Sequence, residues 1–240
     1  MEKMGDVSVV MACLNEARTV GTCVEKACHA FKRLNLQGEV IVVDNGSTDG
    51  SGEIARGKGA RVILEERRGY GHAYRRGFQE ARGHILVMAD ADGTYDFSDL
   101  REIIHPLTNG VDFVIGSRFK GEMLPGSMSW VKRQLGNQVA TGLLNFLFQK
   151  NLSDSQSGFR AFRHTAFQDT PFHSKGMEFA TEMIVRAFRK GLRIQEIPIT
   201  YYPRRGGCSK FKTLQDSASV LYLLFSSYLQ LQKNATRNGS

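Results

Sequence analysis

Two aspartates separated by a single residue follow a run of apolar residues in the middle of the chain. Asp90 and Asp92 come directly after HILVMA, residues 84–89, and such a run is typical of a buried strand. Two carboxylates at a strand end can bind a hard divalent cation together with a diphosphate, since Mg²⁺ takes oxygens from carboxylates and from substrate phosphates. Aspartate is also common in turns and helix N-caps, and the position after a buried strand favours the metal site.

Other polar residues also stand where apolar runs end. In a parallel α/β sheet, ligands bind at the carboxyl ends of the strands. We therefore expect these residues to meet Asp90 and Asp92 at one site. They are Asn15, Glu16, Asp44 and Arg118.

The elements that must position these residues follow from the alternation of apolar runs and helix-compatible stretches. The first half predicts strands at residues 7–13, 39–44, 61–66, 84–90 and 111–117, with helices between them. Such alternation indicates βαβ units and a mostly parallel sheet. The second half predicts one long helix over 128–150, a loop containing 154–162, a helix over 178–190, a strand over 194–202 and an amphipathic helix over about 212–232.

Composition and charge narrow the class of protein. The net charge of +8 favours anionic partners, but no RNP, zinc-finger or helix-turn-helix pattern indicates nucleic acid. The four cysteines form no CxxC pair and no zinc-ligand spacing, as expected of reduced thiols in a cytoplasmic protein. We find no stretch of 18 or more uninterrupted apolar residues and no signal-peptide layout, and we expect no membrane-spanning segment.

Six short motifs, taken in order, resemble family 2 glycosyltransferases. They are LNE (14–16), VVDNGSTDG (42–50), GYGHAYRRGF (69–78), DADGTY (90–95), GSR (116–118) and DSQSGFRAF (154–162). More narrowly, residues 7–212 resemble the polyprenyl-phosphate (dolichol- or undecaprenyl-phosphate) sugar transferases, the group that includes dolichol-phosphate mannose synthase. The resemblance implies an α/β fold of the GT-A type, a Rossmann-like, mostly parallel sheet flanked by helices, ending in a C-terminal amphipathic helix.

We expect a single domain over residues 1–240. Residues 1–118 would form the nucleotide-sugar-binding half, about 119–212 the acceptor-binding half and about 213–232 the amphipathic helix.

The resemblance implies a role for each matching position. Asp90 and Asp92 would bind Mg²⁺ or Mn²⁺ and the donor diphosphate, with Asp92 the main ligand, and Arg118 would hold phosphate. The other donor-binding residues would be Asn15, Glu16, Asp44 and Gly71. The acceptor side would comprise Arg133, Ser157, Arg160, Arg205 and Lys210, with Arg133 also catalytic and Arg204 as an alternative to Arg205.

Two positions depart from the family pattern. Ala12 stands where the family usually has proline, and Gly93-Thr94 replaces a Leu-Gln whose glutamine assists the metal. The second departure favours a UDP-sugar over GDP-mannose as the donor.

We therefore expect an inverting, metal-dependent hexosyltransferase that acts on a polyprenyl phosphate. A phosphate oxygen is already ionised at neutral pH, so no general base is needed. The partners would be a nucleotide sugar, a lipid phosphate and the cytoplasmic face of a membrane, touched by the last helix, which could equally form a homodimer.

Three other interpretations remain open. A saccharide or other hydroxyl acceptor would need a carboxylate base, for which Glu178, Glu182 and Asp154 are candidates. A nucleotidyltransferase would share the βα architecture, but the expected Gly-rich basic loop near the first strand is missing from LNEARTV, residues 14–20. A nucleotide-sugar-binding protein without activity is the third.

Overall fold

The computed structural model describes residues 6–128, 137–206 and 213–238. Seven strands form one mixed sheet in the order β3-β2-β1-β4-β6-β5-β7. The strands are β1 (Val7–Cys13), β2 (Gly38–Asp44), β3 (Arg61–Leu64), β4 (Ile85–Asp90), β5 (Phe113–Met123), β6 (Arg160–Arg163) and β7 (Ile194–Tyr201). Only β6 runs antiparallel to its neighbours among these strands. The predicted mostly parallel sheet is confirmed.

Helices cover both faces of the sheet. They are α1 (Val20–Leu34), α2 (Ser51–Gly57), α3 (Tyr70–Glu80), α4 (Leu100–Thr108), α5 (Val139–Phe148), α6 (His164–Phe167), α7 (Phe179–Arg189) and α8 (Thr213–Asn238), with a 3₁₀ turn at Phe97–Asp99. Side chains alternate along each strand, so β1 supplies Val9 to one core layer and Val10 to the other. The first layer contains α1 and α4, and the second contains α3, α7 and α8.

Three predicted elements differ from the structure. β6 lies inside the segment that we predicted to be a loop. The sequence did not indicate this strand, because four residues are too few to show a hydrophobic period. β5 continues past residue 117 to Met123, paired with β7 across a register shift. Within the predicted long helix over 128–150, the described α-helix is α5, and residues 129–136 lie outside the described residues.

The C-terminal helix α8 packs one face on the core and exposes another. Val220 and Leu224 are buried in the second core layer. On the other face Leu221, Tyr222, Phe225 and Leu229 are exposed. No helix within the described residues combines the length and apolarity needed to cross a membrane.

Candidate active site

A cavity of about 700 Å³ opens where the strands end at their carboxyl termini. This is the edge at which parallel α/β sheets bind ligands. Three of the predicted strand-end positions line it, namely Glu16 after β1, the Asp90–Asp92 pair after β4, and Arg118 on β5. Its other charged lining residues within the described ranges are Arg68, Arg204 and Asp216. The cavity therefore brings carboxylates and guanidinium groups together.

Asp90 is held by aromatic hydroxyl groups. The hydroxyl of Tyr74, on α3, donates to Asp90 Oδ1 at 2.8 Å. Desolvation and the negative charge of Asp92 raise the pKa of Asp90 above its usual range. A Cβ on Gly158 would lie 2.8 Å from Asp90 Oδ2, so any larger residue at position 158 would have to displace the Asp90 carboxylate. Asp90 is thus fixed in a site that favours a nearby positive charge.

Asp92 has a different set of partners. Its Oδ1 accepts from the backbone N of Thr94 at 3.0 Å and from the Thr94 hydroxyl at 2.6 Å. Its Oδ2 accepts from Arg204 Nη1 at 2.8 Å. The other arm of Arg204, Nη2, donates to Glu16 Oε1. Thr94, one of the two residues that replace the family's Leu-Gln, therefore orients Asp92.

The residues present fit a divalent cation. Asp92 already pairs with a cationic group through Oδ2. Burial, and then the negative charge of Asp92, raise the pKa of Asp90, so a cation placed between the two carboxylates would offset both effects. Among the residues that the structure describes, no group of three or more His, Cys, Asp or Glu side chains could hold a metal ion. Asp90 and Asp92 would then supply the protein ligands, and a bound diphosphate and water the remainder, as is usual for Mg²⁺.

Arg118, which also lines the cavity, forms a two-point ion pair with Asp154. Its Nε and Nη2 donate to the two oxygens of Asp154, each at 2.7 Å, and its backbone N donates to Asp154 Oδ2 at 3.1 Å. Burial alone would lower the pKa of Arg118, but the charge of Asp154 raises it well above the usual value. The guanidinium also lies 5.2 Å from the centre of the Tyr201 ring. Arg118 is a permanently charged, pre-positioned donor for an anion.

Three predicted donor residues, Asn15, Asp44 and Gly71, lie outside the cavity lining. The side-chain oxygen of Asn15 accepts from the backbone N of Thr48 at 2.8 Å, and Asp44 Oδ1 accepts from the backbone N of Ser47 at 2.7 Å. Both side chains shape the loop after β2. Asn45, the residue after Asp44, lines the cavity instead.

The glycines of residues 69–78 have a structural explanation. Gly71 donates from its backbone N to the oxygen of Lys175 at 2.9 Å. A Cβ on Gly71 would lie 2.3 Å from the backbone oxygen of Ser174. We predicted that Gly71 allows a nucleotide to approach the backbone; the structure shows the 174–175 backbone in that place. Gly69, two residues earlier, does line the cavity.

The two predicted acceptor residues of the SGFR motif, Ser157 and Arg160, are buried behind the cavity lining. Arg160 is fully buried and donates to the backbone oxygens of Ser155 at 2.9 Å, Ser157 at 2.7 Å and Ala180 at 2.5 Å. Ser157 is fully buried too. Gln156 and Gly158, their neighbours, line the cavity. Arg160 therefore holds the loop in shape without reaching the cavity.

The basic segment after β7 contributes Arg204 in preference to Arg205. Arg204 lines the cavity, whereas Arg205 is exposed and does not. Arg133 and Lys210 lie outside the described residues.

Sequence reasoning missed several residues that the structure brings to the cavity. Tyr95 accepts at its hydroxyl from the backbone N of Gly158 at 2.8 Å. Gln215 and Asp216 bring the first turn of α8 to the cavity. Tyr95 belongs to the DADGTY motif, so its spacing from Asp92 was an available signal. Nothing in the amphipathic pattern of α8 indicated that its first turn lines a site.

Comparisons with known proteins identify the family and the fold. The family model described as "Glycosyl transferase family 2" matches residues 8–170. The low-salt glycan biosynthesis hexosyltransferase Agl6 of Haloferax volcanii is 43% identical over 201 residues, which span 83% of this chain and 48% of Agl6. The chain thus spans about half the length of that relative. Glycosyltransferase AglJ of the same organism is 35% identical, over 97% of this chain and 73% of AglJ.

A third relative from H. volcanii is a dolichyl-phosphate hexose transferase, 32% identical over 84% of this chain and 85% of that protein. Among solved structures, mannosyl-3-phosphoglycerate synthase from Rubrobacter xylanophilus aligns with a TM-score of 0.78 at 22% identity, over 96% of this chain and 75% of that one. Glucosyl-3-phosphoglycerate synthase from Mycobacterium tuberculosis, in complex with Mg²⁺ and UDP, aligns with a TM-score of 0.72 at 23% identity, over 93% and 79%. These structures show the shared fold.

Proposed function

Because the chain belongs to glycosyl transferase family 2, a family of glycosyltransferase enzymes, we propose that it transfers a hexose from a nucleotide sugar to a polyprenyl phosphate. Family membership and the GT-A fold, both expected from the motifs, are confirmed. The donor, the lipid acceptor, the metal and the roles of individual residues form the proposal.

A nucleotide-sugar donor is supported by the polarity of the cavity. Glu16, Asp90, Asp92 and Arg118 line the same cavity, so the diphosphate would have a metal site and a guanidinium within it. The M. tuberculosis neighbour contains UDP with Mg²⁺. This supports UDP over GDP, in line with the Gly93-Thr94 departure, and Mg²⁺ or Mn²⁺ as the ion.

The lipid-phosphate acceptor rests on one observation: all three predicted base carboxylates have other partners. Asp154 is paired with Arg118. Glu178 accepts from the backbone N of Lys175 and of Gly176, each at 3.0 Å. Glu182 accepts from the backbone N of Ser174 at 2.8 Å. None of the three carboxylates lines the cavity. An acceptor whose oxygen is already ionised needs no such base.

The dolichyl-phosphate hexose transferase of H. volcanii adds support for this class of acceptor. Asp216 does line the cavity, and it would be the first residue to test if the acceptor were a hydroxyl group.

In the proposed mechanism the acceptor phosphate oxygen attacks the anomeric carbon in line with the departing nucleoside diphosphate. The new C–O bond forms as the bond to the diphosphate breaks, so the anomeric centre inverts. Asp90 and Asp92 would hold a divalent ion, which would neutralise charge on the leaving diphosphate. Arg118 reduces the repulsion between the two anionic reactants, and the rigid Asp154 contact keeps its guanidinium oriented without reorganisation.

A membrane contact fits the same proposal. α8 exposes Tyr222, Phe225 and Leu229, and α5 exposes Val139 and Phe146. Both helices also approach the cavity, since Asn137 precedes α5 and Asp216 lies in the first turn of α8, and both residues line it. We propose that this apolar face lies on the cytoplasmic surface of a membrane, next to the lipid substrate. A homodimer through the same face is the other candidate.

The test is transfer to an organic phase. Purified protein is incubated with Mg²⁺ or Mn²⁺, radiolabelled UDP- and GDP-hexoses, and a short polyprenyl phosphate. We expect label in the organic phase from one UDP-sugar, lost without metal and kept within about threefold in Asp216→Asn, since no base is required. Transfer only to a soluble acceptor such as a saccharide or 3-phosphoglycerate, abolished by Asp216→Asn, would replace the lipid acceptor with a hydroxyl group.

A further inference from the structure

Arg204 binds two carboxylates that come from distant parts of the chain. Nη1 donates to Asp92 Oδ2 at 2.8 Å and Nη2 to Glu16 Oε1. Its Nε donates to the backbone oxygen of Gly206 at 2.9 Å, which fixes the plane of the guanidinium. A Cβ on Gly206 would lie 2.9 Å from Cβ of Arg18, so the segment after β7 rests on the connection between β1 and α1.

This arrangement places a fixed cation on the residue that we expect to be the main metal ligand. The remaining oxygen of Asp92, Oδ1, is already bound by Thr94. A divalent ion and Arg204 therefore need the same oxygen, Oδ2. Burial alone would lower the pKa of Arg204, but the charges of Asp92 and Glu16 raise it. Arg204 stays charged, and it leaves this position by moving and not by losing its proton.

The ion pair is suited to exchange. The Arg204 side chain is 23% exposed, whereas the side chains of Asp92 and Glu16 are 12% and 6% exposed. Water therefore reaches the guanidinium as it leaves, and an incoming cation is needed to replace it beside the two carboxylates. Arg204 also lies on an irregular segment after β7, whereas a strand holds Arg118, so its guanidinium can shift without disturbing the sheet.

Building on the proposed function, we infer that Arg204 is a displaceable placeholder for the metal. It holds Asp92 and Glu16 until the metal–donor pair arrives, and it then moves to the donor diphosphate. Arg204 is therefore a donor-binding residue, whereas the resemblance assigned this segment to the acceptor side. The exchange keeps the charge near Asp92 balanced: one cation leaves as another enters, and the leaving guanidinium finds a new anion on the incoming donor. Arg205 has no part in it.

A Mn²⁺ titration followed by electron paramagnetic resonance, with no sugar donor or acceptor, tests the competition. We expect Arg204→Gln to bind Mn²⁺ roughly fivefold more tightly than the wild type. In the wild type the ion must first displace Arg204 from Asp92, and a roughly fivefold change in affinity corresponds to the free energy of one such ion pair. Arg205→Gln removes the same charge from the neighbouring position and should leave the Mn²⁺ affinity unchanged. Arg204→Lys keeps the charge but cannot bridge both carboxylates, so its Mn²⁺ affinity should lie between those of the wild type and Arg204→Gln. Equal affinities in all four proteins would overturn the inference.

Arginine labelling of the unmodified protein gives a second test, which does not depend on any variant folding. Phenylglyoxal is added and its attachment to Arg204 is measured by mass spectrometry. Mn²⁺ alone should increase labelling of Arg204, because the ion displaces its guanidinium from Asp92. Mn²⁺ together with UDP should reduce labelling again, because the guanidinium then binds the diphosphate. Labelling of Arg204 that does not respond to Mn²⁺ would refute the exchange. Neither test contains an acceptor, so a wrong lipid acceptor would leave both results standing.

Discussion

Arg118 and Arg204 line the same cavity, and the ion pairs that they form with carboxylates differ in how they are held. Arg118 is on strand β5, its side chain is 6% exposed, and its partner Asp154 is fully buried. Arg204 is on an irregular segment, 23% exposed, and it divides its donors between Asp92 and Glu16. The first pair has two-point geometry between one arginine and one carboxylate, whereas the second joins three separate segments.

The difference indicates that Arg118 and Asp154 form a structural ion pair, whereas Arg204 can be exchanged for another cation. Breaking a buried pair leaves an uncompensated charge that water cannot reach, and this is costly. Opening the pairs of Arg204 costs less, because its guanidinium is 23% exposed and water can solvate it. In the proposed function, which requires binding and release of a metal and a nucleotide, Arg118 would supply a fixed positive charge and Arg204 a movable one.

The largest expected effect comes from Asp92 in the exchangeable pair. Asp92→Asn should lower transfer by about 10³-fold, because it would remove the proposed principal metal ligand and with it the charge compensation of the leaving group. The melting temperature should change little, since asparagine keeps the size of the side chain and Arg204 keeps Glu16 as a partner. Initial rates of label transfer, measured beside thermal melting, check both.

Asp96→Asn is the matched control for this prediction. Asp96 caps the Ser98 backbone N at 3.1 Å and is not part of the cavity lining. Transfer in Asp96→Asn should stay within about threefold of the wild type, as removing a helix cap costs on the order of 1 kcal/mol of stability and no catalytic contact. Similar losses in both variants would mean that Asp92 acts through folding.

The fixed pair should show the opposite pattern. Asp154→Ala should lower the free energy of unfolding by about 3–5 kcal/mol, because Arg118 is left buried without its partner. Urea unfolding measures this change. Asp154→Asn keeps the shape and part of the hydrogen bonding, so its loss should be smaller. A stability change in Asp154→Ala no larger than in Asp92→Asn would remove the distinction between the two pairs.

Sequence reasoning located the strand ends well. The continuous apolar runs of β1, β2 and β4 fixed their bounds to within one residue, and strand-end polarity identified Glu16, Asp92 and Arg118, which do line the cavity. The parallel sheet explains this success, since it gathers the carboxyl ends of its strands at one edge.

The same reasoning was weaker where long-range contacts decide a role. A motif match marks Arg160 and Gly71 but does not say what they touch: Arg160 binds backbone oxygens beneath the loop, and Gly71 admits the 174–175 backbone. Nor can the sequence choose between Arg204 and Arg205, which differ by one position in a segment with no periodicity. Only the fold brings Arg204 to Asp92, 112 residues away in the chain.

The contact between Gly71 on α3 and the backbone of residues 174–175 should be as rigid as the Arg118–Asp154 pair. Gly71→Ala should destabilise the protein by about 1–3 kcal/mol, because the new methyl group overlaps a backbone oxygen that cannot rotate away. Gly142→Ala, on α5 with nothing within 4 Å of the new Cβ, should be neutral or stabilise by up to about 1 kcal/mol. Chemical denaturation of the two variants side by side gives the answer, and an equally tolerated Gly71→Ala would mean that this backbone contact is adjustable.

Substitutions on the exposed face of α8 should have the smallest effect on the two arginine–carboxylate pairs. They should change binding to a lipid surface and leave the transfer reaction itself unaltered. Replacing Phe225 and Leu229 by serine together should weaken binding to vesicles containing anionic lipids by about tenfold, since partial burial of two apolar side chains is lost. Transfer to a short, water-soluble polyprenyl phosphate should stay within about twofold, because neither residue lines the cavity. Flotation of vesicles and the soluble assay separate the two effects. If vesicle binding persists while a dimer seen by light scattering dissociates, the face joins two copies of the chain, and the lipid must reach Arg118 and Arg204 by another route.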